Sequence, residues 1–215
     1  MTASITISIE LELAWGVHDN EGVDKYHFLS KNRAKEEIVL TNLLELCENA
    51  DVPITFDVVG HLLLDSCDGE HDGSYPEWWF QFDPGTDSAH HPLYYAPKLV
   101  KKIVDSPIPH EIATHTFSHP NCNYFSDEAI DKELELVRKT HNQYGLAEPA
   151  SIVAPNHSPI PKRILCEHGI QNIRIPIRDT NQRTNLPLTS LDLLSRTHPL
   201  RQPKLVDGVV EMYTS

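Results

Sequence analysis

Two histidines spaced four residues apart are the strongest indication of chemistry in this 215-residue sequence. The stretch HEIATHTFSHP covers residues 110–120 and contains His115 and His119, the second followed at once by a proline. Neutral imidazole is a common zinc ligand, and this spacing brings two rings to one side of a helical turn. The pair is not a H-E-x-x-H motif, which disfavours a helix-borne protease site. The pattern favours a divalent metal ion, with one packed and one exposed histidine as the alternative.

Two glutamates near the N-terminus supply the carboxylates that such a site needs. Residues 5–13, ITISIELEL, alternate apolar and polar side chains, which predicts a β-strand. Glu10 and Glu12 then leave the same face of the strand, with their Cα atoms about 7 Å apart. A metal ion can hold one carboxylate and leave the other to act as a base. The alternative is an edge strand whose polar face is simply exposed to water.

The chain as a whole alternates predicted strands and helices, which indicates an α/β fold with a mainly parallel sheet. The predicted strands are 5–13, 53–60, 110–116, 151–155, 172–176 and 209–213, and the predicted helices are 32–50, 96–105, one beginning after Ser126, and 162–169. Residues 65–95 are irregular, and long loops of this kind are often functional, whereas residues 177–204 are polar and loop-like. Functional groups are expected at the carboxyl ends of the strands.

Charge and composition exclude several kinds of partner. The net charge of -13 argues against nucleic acid, because an acidic surface repels phosphate groups. No apolar run approaches the ~20 residues of a membrane-spanning helix, and with no signal-peptide pattern we expect a cytoplasmic protein. The four cysteines lie far apart without a C-x-x-C pair, so we expect reduced, mostly buried thiols and no zinc knuckle or disulfide framework. They are Cys47, Cys67, Cys122 and Cys166.

With both stretches in view, the chain resembles the polysaccharide deacetylase family, the NodB-homology group of carbohydrate esterase family 4. SIELELAWG, residues 8–16, is similar to the family's first motif, and HEIATHTFSHP is similar to its second. SIVAPNHSP, residues 151–159, occupies the place of the third. The resemblance implies a deformed (β/α) barrel of about seven parallel strands. It also implies Glu10 as the catalytic base, with Glu12, His115 and His119 as the metal ligands.

Three departures from the family pattern bear on activity. The family's base is normally an aspartate, whereas Glu10 is one methylene longer, a displacement of roughly 1.5 Å at most. The third motif usually carries an arginine that orients the base, and here Asn156 or His157 is the nearest substitute. The family's late histidine, its usual general acid, has no matching motif in this sequence. His198 lies in a predicted loop, and we expect it at the surface rather than in the site.

Aromatic and polar residues outside the two motifs are candidates for substrate binding. Trp78 and Trp79 lie in the irregular segment, and their rings could support the apolar face of a sugar, with a small core beneath the loop as the alternative. Asn156 is assigned to substrate binding from its place in the third motif. His61 and Asp19 are each either site residues or ordinary packed and loop residues.

The function expected from these residues is metal-dependent hydrolysis of an N-acetyl or other N-acyl group on a sugar, oligosaccharide or polysaccharide precursor. Two histidines and a carboxylate suit zinc best, with cobalt, iron, nickel and manganese as alternatives. A catalytically impaired glycan-binding relative and an amidase acting on a non-sugar amide remain open. We expect residues 1–215 to form one domain, and the missing late motif leaves open whether the C-terminal end of the family fold is included. The oligomeric state is not predicted.

Overall fold

Seven strands form one sheet in a computed structural model that describes residues 5–19, 24, 27–176 and 202–214. The strands are Ser8–Leu11 (β1), Thr55–Val58 (β2), Glu111–Thr114 (β3), Ser151–Val153 (β4), Asn172–Pro176 (β5), Lys204–Val206 (β6) and Val209–Thr214 (β7). Their order is β1-β2-β3-β4-β5-β7-β6, and every neighbouring pair is parallel except β6 and β7. The predicted α/β fold is therefore confirmed, with one antiparallel edge strand that was not predicted.

Among the described residues, four α-helices connect the strands, close to where the sequence predicts them. They are Ala34–Ala50 (α1), Pro97–Val104 (α2), Asp127–Tyr144 (α3) and Lys162–Glu167 (α4). Ser126 begins α3 because its side chain accepts a hydrogen bond from the backbone N–H of Ala129, and Gly145 ends it at a φ of 80°. Among the described residues no helix is both long and apolar enough to cross a membrane. The cytoplasmic location and the single-domain assignment stay predictions.

The sheet is curled, as a contact between a side chain of β5 and strand β1 shows. Arg174 on β5 donates hydrogen bonds to Ser8 and Glu10 on β1. Four strand spacings separate these strands along the sheet, which would be about 19 Å if the sheet were flat. An arginine side chain cannot span that distance, so β1 and β5 must face each other across the interior. This curvature agrees with the deformed barrel predicted for the sheet.

A buried carboxyl group lies beside this cross-sheet contact. Asp57 on β2 pairs in register with Glu10, and only 1% of Asp57 is exposed. Burial raises the pKa of Asp57 to about 7, although the positive charge of Arg174 and a hydrogen bond from Ser8 oppose the shift. The interior of the curled sheet is therefore polar and ionisable at the carboxyl end of β2.

The first strand ends earlier than predicted. β1 stops at Leu11, Leu13 adopts a left-handed φ of 49°, and a 3-10 helix follows over Leu13–Val17. Trp15 is fully buried, and its indole N–H donates to the carbonyl of Tyr94. Because this large ring is buried, the chain turns inward after Leu11. The predicted strand, which extends to residue 13, is therefore wrong at its last two residues.

The turn after β3 also differs from the expected helical turn. Thr116 and His119 both adopt left-handed φ angles, 63° and 64°, which an α-helix does not tolerate. Within the turn, backbone N–H groups bond to the side chain of Glu133 on α3 instead of to helical carbonyls. His115 and His119 are therefore brought together by a tight, non-helical turn that Glu133 stabilises from α3. The prediction of a helical turn was wrong.

Glu133 holds this turn through four hydrogen bonds. The carboxylate is fully buried and accepts from the backbone N–H groups of Phe117 and Ser118, each at 2.7 Å. It also accepts from the hydroxyls of Ser118 at 2.5 Å and Tyr75 at 2.8 Å. Burial raises the pKa of Glu133, while the hydrogen bonds from Ser118, Tyr75 and Phe117 oppose that shift. A buried acceptor with four donors is a strong local constraint.

We expect Glu133→Gln to destabilise the protein by about 1–3 kcal/mol, because its amide NH₂ would face groups that are themselves donors. Urea unfolding monitored by circular dichroism measures the loss. Glu135→Gln is the matched control, since Glu135 lies on the same helix with 58% of its side chain exposed, and it should change stability by less than about 0.5 kcal/mol. Equal effects of the two changes would contradict the anchoring role of Glu133.

Asp57 should make stability fall as the pH rises. Its pKa is higher in the folded protein than in the unfolded chain, so the folded state keeps the proton between about pH 4 and pH 7 while the unfolded state loses it. The free energy of unfolding should therefore fall by about 2 kcal/mol between roughly pH 5 and pH 8, and Asp57→Asn should remove that fall. Denaturant titrations at both pH values test this. Glu45→Gln, on the exposed side of α1, should leave the fall intact.

Candidate metal centre

Glu12, His115 and His119 converge at the carboxyl end of β1 and β3. Oxygen Oε1 of Glu12 lies 3.0 Å from Nε2 of His115 and 3.4 Å from Nε2 of His119. Both histidines are buried, while 29% of the Glu12 side chain is exposed. The three predicted metal ligands are thus neighbours in space, with one ligand atom each pointing at a common centre.

The hydrogen bonding of His115 fits a cation at this centre. Its Nδ1 lies 2.7 Å from the carbonyl oxygen of Val153, which can only accept, so Nδ1 carries the proton. In the neutral ring, Nε2 then presents a lone pair to the Glu12 oxygen, and this buried nitrogen has no hydrogen-bond partner among the described residues. A cation satisfies both atoms, and bonds of about 2.0–2.2 Å place two ligand atoms about 3.0–3.4 Å apart, as found here.

The electrostatics favour an ionised carboxylate at the same point. Burial raises the pKa of Glu12, but hydrogen bonds and charge from His115 and His119 in their protonated forms outweigh it and bring the pKa well below its ordinary value, and a bound cation would act in the same direction. Gly16 leaves room for this carboxylate, because a Cβ there would lie 2.1 Å from Oε2 of Glu12. The glycine that follows Trp15 is therefore part of the geometry of the centre.

Glu10, the predicted base, lies beside the centre and forms an ion pair with Arg174. A third of its side chain, 34%, is exposed. Arg174 is a residue that the sequence analysis missed when it looked for an arginine only in residues 151–159. Its place between Ile173 and Ile175 in a predicted strand could have identified it. Side chains alternate along a strand, so Arg174 lies on the face opposite the buried Ile173.

A small polar cavity of about 180 Å³ joins these groups. It is lined by Glu10, Glu12, Gly16, His115, His119, Ala154, Asn156 and His157. Asn156 is exposed, and both it and His157 adopt left-handed φ angles of 54° and 50°. The third-motif segment therefore forms one wall of the cavity, and the Nδ1 atom of His157 is buried without a hydrogen-bond partner among the described residues.

The two tryptophans have different environments. Trp78 is 50% exposed, whereas Trp79 is 1% exposed and donates from its indole N–H to the hydroxyl of Ser118. A buried ring offers no face to a sugar, so Trp79 supports the turn from below and the predicted platform is left to Trp78. Asp19 is exposed at the end of the described N-terminal segment, and His198 lies outside the described residues.

A second cluster of possible ligands joins the end of β2 to the irregular segment. His61, Cys67, His71 and Asp83 each direct one ligand atom to a common point. The sequence analysis left His61 open and expected no metal-binding pattern for the cysteines. Spacings of six, four and twelve residues match no short metal motif, so only the fold could bring these four together.

Comparisons with known proteins agree with this geometry. The family model described as polysaccharide deacetylase matches residues 31–172, well over half of the chain. A search of curated proteins gave no match. Among solved structures, a proposed polysaccharide deacetylase from Mycobacterium smegmatis superposes with a TM-score of 0.61 at 15% identity, covering 98% of this chain and 58% of its own. The chain therefore spans little more than half the length of that protein.

Two further structures superpose less closely. A carbohydrate esterase family 4 pseudoenzyme from Bacillus anthracis gives a TM-score of 0.48 at 16% identity, covering 97% of this chain and 53% of its own. A family 4 carbohydrate esterase from Streptomyces lividans, solved with acetate, gives 0.44 at 14% identity, covering 63% and 55%. The match to the family model shows the family, and the Mycobacterium smegmatis structure supports the fold. The chain belongs to the polysaccharide deacetylase family.

Proposed function

We propose that this chain is a metal-dependent deacetylase that hydrolyses an N-acyl group, most simply N-acetyl, on a sugar or oligosaccharide. The observation that carries the proposal is the convergence of Glu12, His115 and His119 on one side of a cavity that Glu10 also lines. Three protein ligands leave coordination positions open, as in catalytic rather than structural sites.

Glu12, His115 and His119 would hold a divalent ion, for which zinc is the preferred candidate because of its affinity for imidazole and carboxylate. When bound, such an ion polarises the acyl carbonyl and lowers the pKa of a water molecule. Val153 keeps the ring of His115 in the required tautomer through its carbonyl oxygen. The chain's own task is to keep these three groups in place and to move protons.

Glu10 takes the proton of the attacking water as the oxygen bonds to the acyl carbon. Arg174 orients the Glu10 carboxylate through their ion pair. Because Arg174 also donates to Ser8, it is fixed to β1 at two points, which restrains the longer glutamate side chain in the place of an aspartate. The arginine missing from the third motif is in this way supplied by the neighbouring strand β5.

His157 is our candidate for the general acid. It lines the cavity with His115 and His119, and it is not needed as a ligand in the three-residue centre. Proton transfer from His157 to the sugar nitrogen would accompany cleavage of the C–N bond and release a carboxylate and a free amine. His157 would therefore take the general-acid role that a late histidine has in the family.

The cavity accepts only a small part of a substrate. Its volume of about 180 Å³ lies below the ~300–1,000 Å³ of pockets that enclose whole drug-sized ligands. The acyl group therefore enters, while the sugar ring stays at the rim beside the exposed Asn156. This arrangement suits a sugar residue at the end of a chain or within an oligosaccharide.

Glu10→Gln should lower deacetylation at least about 100-fold while leaving the metal content unchanged, because the amide cannot accept the water proton. Acetate release from N-acetylated oligosaccharides and metal analysis of the same sample provide the two measurements. Glu12→Gln is the contrasting variant and should lose both activity and metal. A metal-loaded wild type that binds glycans but releases no acetate would favour the glycan-binding alternative, and turnover of non-sugar amides alone would favour an amidase.

Arg174→Met should lower kcat by roughly 10–100-fold with little change in bound metal, since it removes the group that orients the base. The matched control is Arg163→Met, because Arg163 is an arginine with 62% of its side chain exposed on α4. Steady-state kinetics of both variants, with circular dichroism to confirm folding, test the assignment. Unchanged kcat in Arg174→Met would remove Arg174 from the mechanism.

A further inference from the structure

The second cluster joins the end of β2 to the long segment that precedes α2. His61 belongs to a short 3-10 helix, Gly60–Leu63, and the other three members lie in the irregular chain that follows. Between residues 65 and 95 the structure has no helix or strand and only one isolated bridge, from Ser66 to Asp87. A segment of this length without secondary structure needs another source of order.

Five of the six distances among the four ligand atoms lie between 2.8 and 3.8 Å, close to the edges of a tetrahedral zinc site. Oδ2 of Asp83 lies 3.1 Å from Nε2 of His61 and 2.8 Å from Nε2 of His71. Sγ of Cys67 lies 3.5 Å from His61, 3.8 Å from His71 and 3.4 Å from Oδ2 of Asp83. Zinc bonds of about 2.0 Å to nitrogen or oxygen and 2.3 Å to sulfur predict tetrahedral edges of about 3.3–3.6 Å.

Hydrogen bonds outside the cluster aim the ligand atoms inward. Nδ1 of His61 donates to the carbonyl oxygen of Tyr94, which leaves the lone pair of Nε2 for the cluster. Oδ1 of Asp83 accepts from the hydroxyl of Tyr95 and the backbone N–H of Gly85, so Oδ2 is the oxygen that faces the other ligands. Such outer partners are typical of metal ligands, because they fix the tautomer and the orientation of each group.

The backbone around Cys67 favours a thiolate. The N–H of Gly69 donates to Sγ at 3.3 Å. The thiolate is the form that binds a metal ion. Gly69 and Gly85 adopt left-handed φ angles where the two loops meet, so that Cys67 and Asp83 approach closely.

We propose that His61, Cys67, His71 and Asp83 form a second metal site, a closed tetrahedral zinc site that holds the irregular segment in place. The side chains of His61 and Asp83 are fully buried and that of His71 is 8% exposed. The two imidazoles and the carboxylate are buried and Cys67 is half-buried, and a cation would neutralise the thiolate and the carboxylate that lie together here. Four protein ligands leave no position for substrate, so the site is structural, and the thiolate selects zinc over harder ions.

The site has a direct structural consequence for the candidate metal centre. Tyr75 and Trp79 lie between Cys67 and Asp83 in the segment, and they donate to Glu133 and Ser118 at the turn that carries His115. Ordering the segment therefore orders the hydrogen bonds that hold the turn. Loss of the second ion should loosen the first centre without removing any of its ligands.

Cobalt substitution distinguishes the two sites, because only the second one contains a cysteine. The wild-type protein, stripped with a chelator and reloaded with Co²⁺, should show a thiolate-to-cobalt charge-transfer band in the near ultraviolet. Cys67→Ser should abolish the band, whereas His115→Ala, which alters only the first centre, should keep it. Cys166→Ser is the matched control, since Cys166 is an exposed cysteine outside the cluster, and it should also keep the band.

Metal analysis and X-ray absorption of the unmodified protein complete the test if Cys67→Ser does not fold. Wild type loaded with zinc should bind two equivalents and His115→Ala should keep one, and the zinc spectrum of His115→Ala should contain a sulfur neighbour at about 2.3 Å. No charge-transfer band and only nitrogen or oxygen neighbours would overturn the proposal. That outcome would leave a metal-free His–Asp–thiolate network and would not affect the deacetylase proposal, which acetate release tests separately.

Discussion

Burying an ionised group is costly unless a hydrogen-bond donor or an opposite charge lies beside it, and the most tightly held parts of the described structure meet that constraint. Glu133 meets it with four donors, and Arg174 meets it by reaching across the curled sheet to Glu10. At two places, around Glu12 and around Oδ2 of Asp83, the neighbouring atoms are imidazole nitrogens, joined at Asp83 by the sulfur of Cys67. A bound cation would be a common partner for each group, which is why we propose a metal ion at both places.

The regular elements could be predicted because their determinants are local. Alternation marked β1, and the Ser126 cap with its acidic first turn marked the start of α3. The errors occurred where distant contacts override the local pattern. The burial of Trp15 against Tyr94 ends β1 at Leu11, and the three residues of β6 are too few to show alternation. Local periodicity cannot report contacts between residues that are about 80 positions apart.

The same distinction explains which site residues the sequence indicated. Glu12 and the two histidines belong to compact stretches at strand ends, so topology alone brings them to one rim. Arg174 contacts Glu10 only because the sheet curls, and no spacing along the chain records that curvature. The second cluster is even harder to predict from the sequence. Cys67 and Asp83 lie in a segment without helices or strands, so no regular element indicates where its residues lie in space.

A metal site with three protein ligands is less constrained by its ion than a site with four. With only three protein ligands, the ion cannot by itself fix the geometry, so the protein must preorganise the ligands through surrounding contacts. Here those contacts run from the irregular segment through Tyr75 and Trp79 to Glu133 and the turn at Ser118. A segment without secondary structure could not provide rigid support unless it were itself cross-linked. The proposed zinc cluster supplies that cross-link, so the chemistry at one rim and the order of the loop beside it depend on the same set of hydrogen bonds.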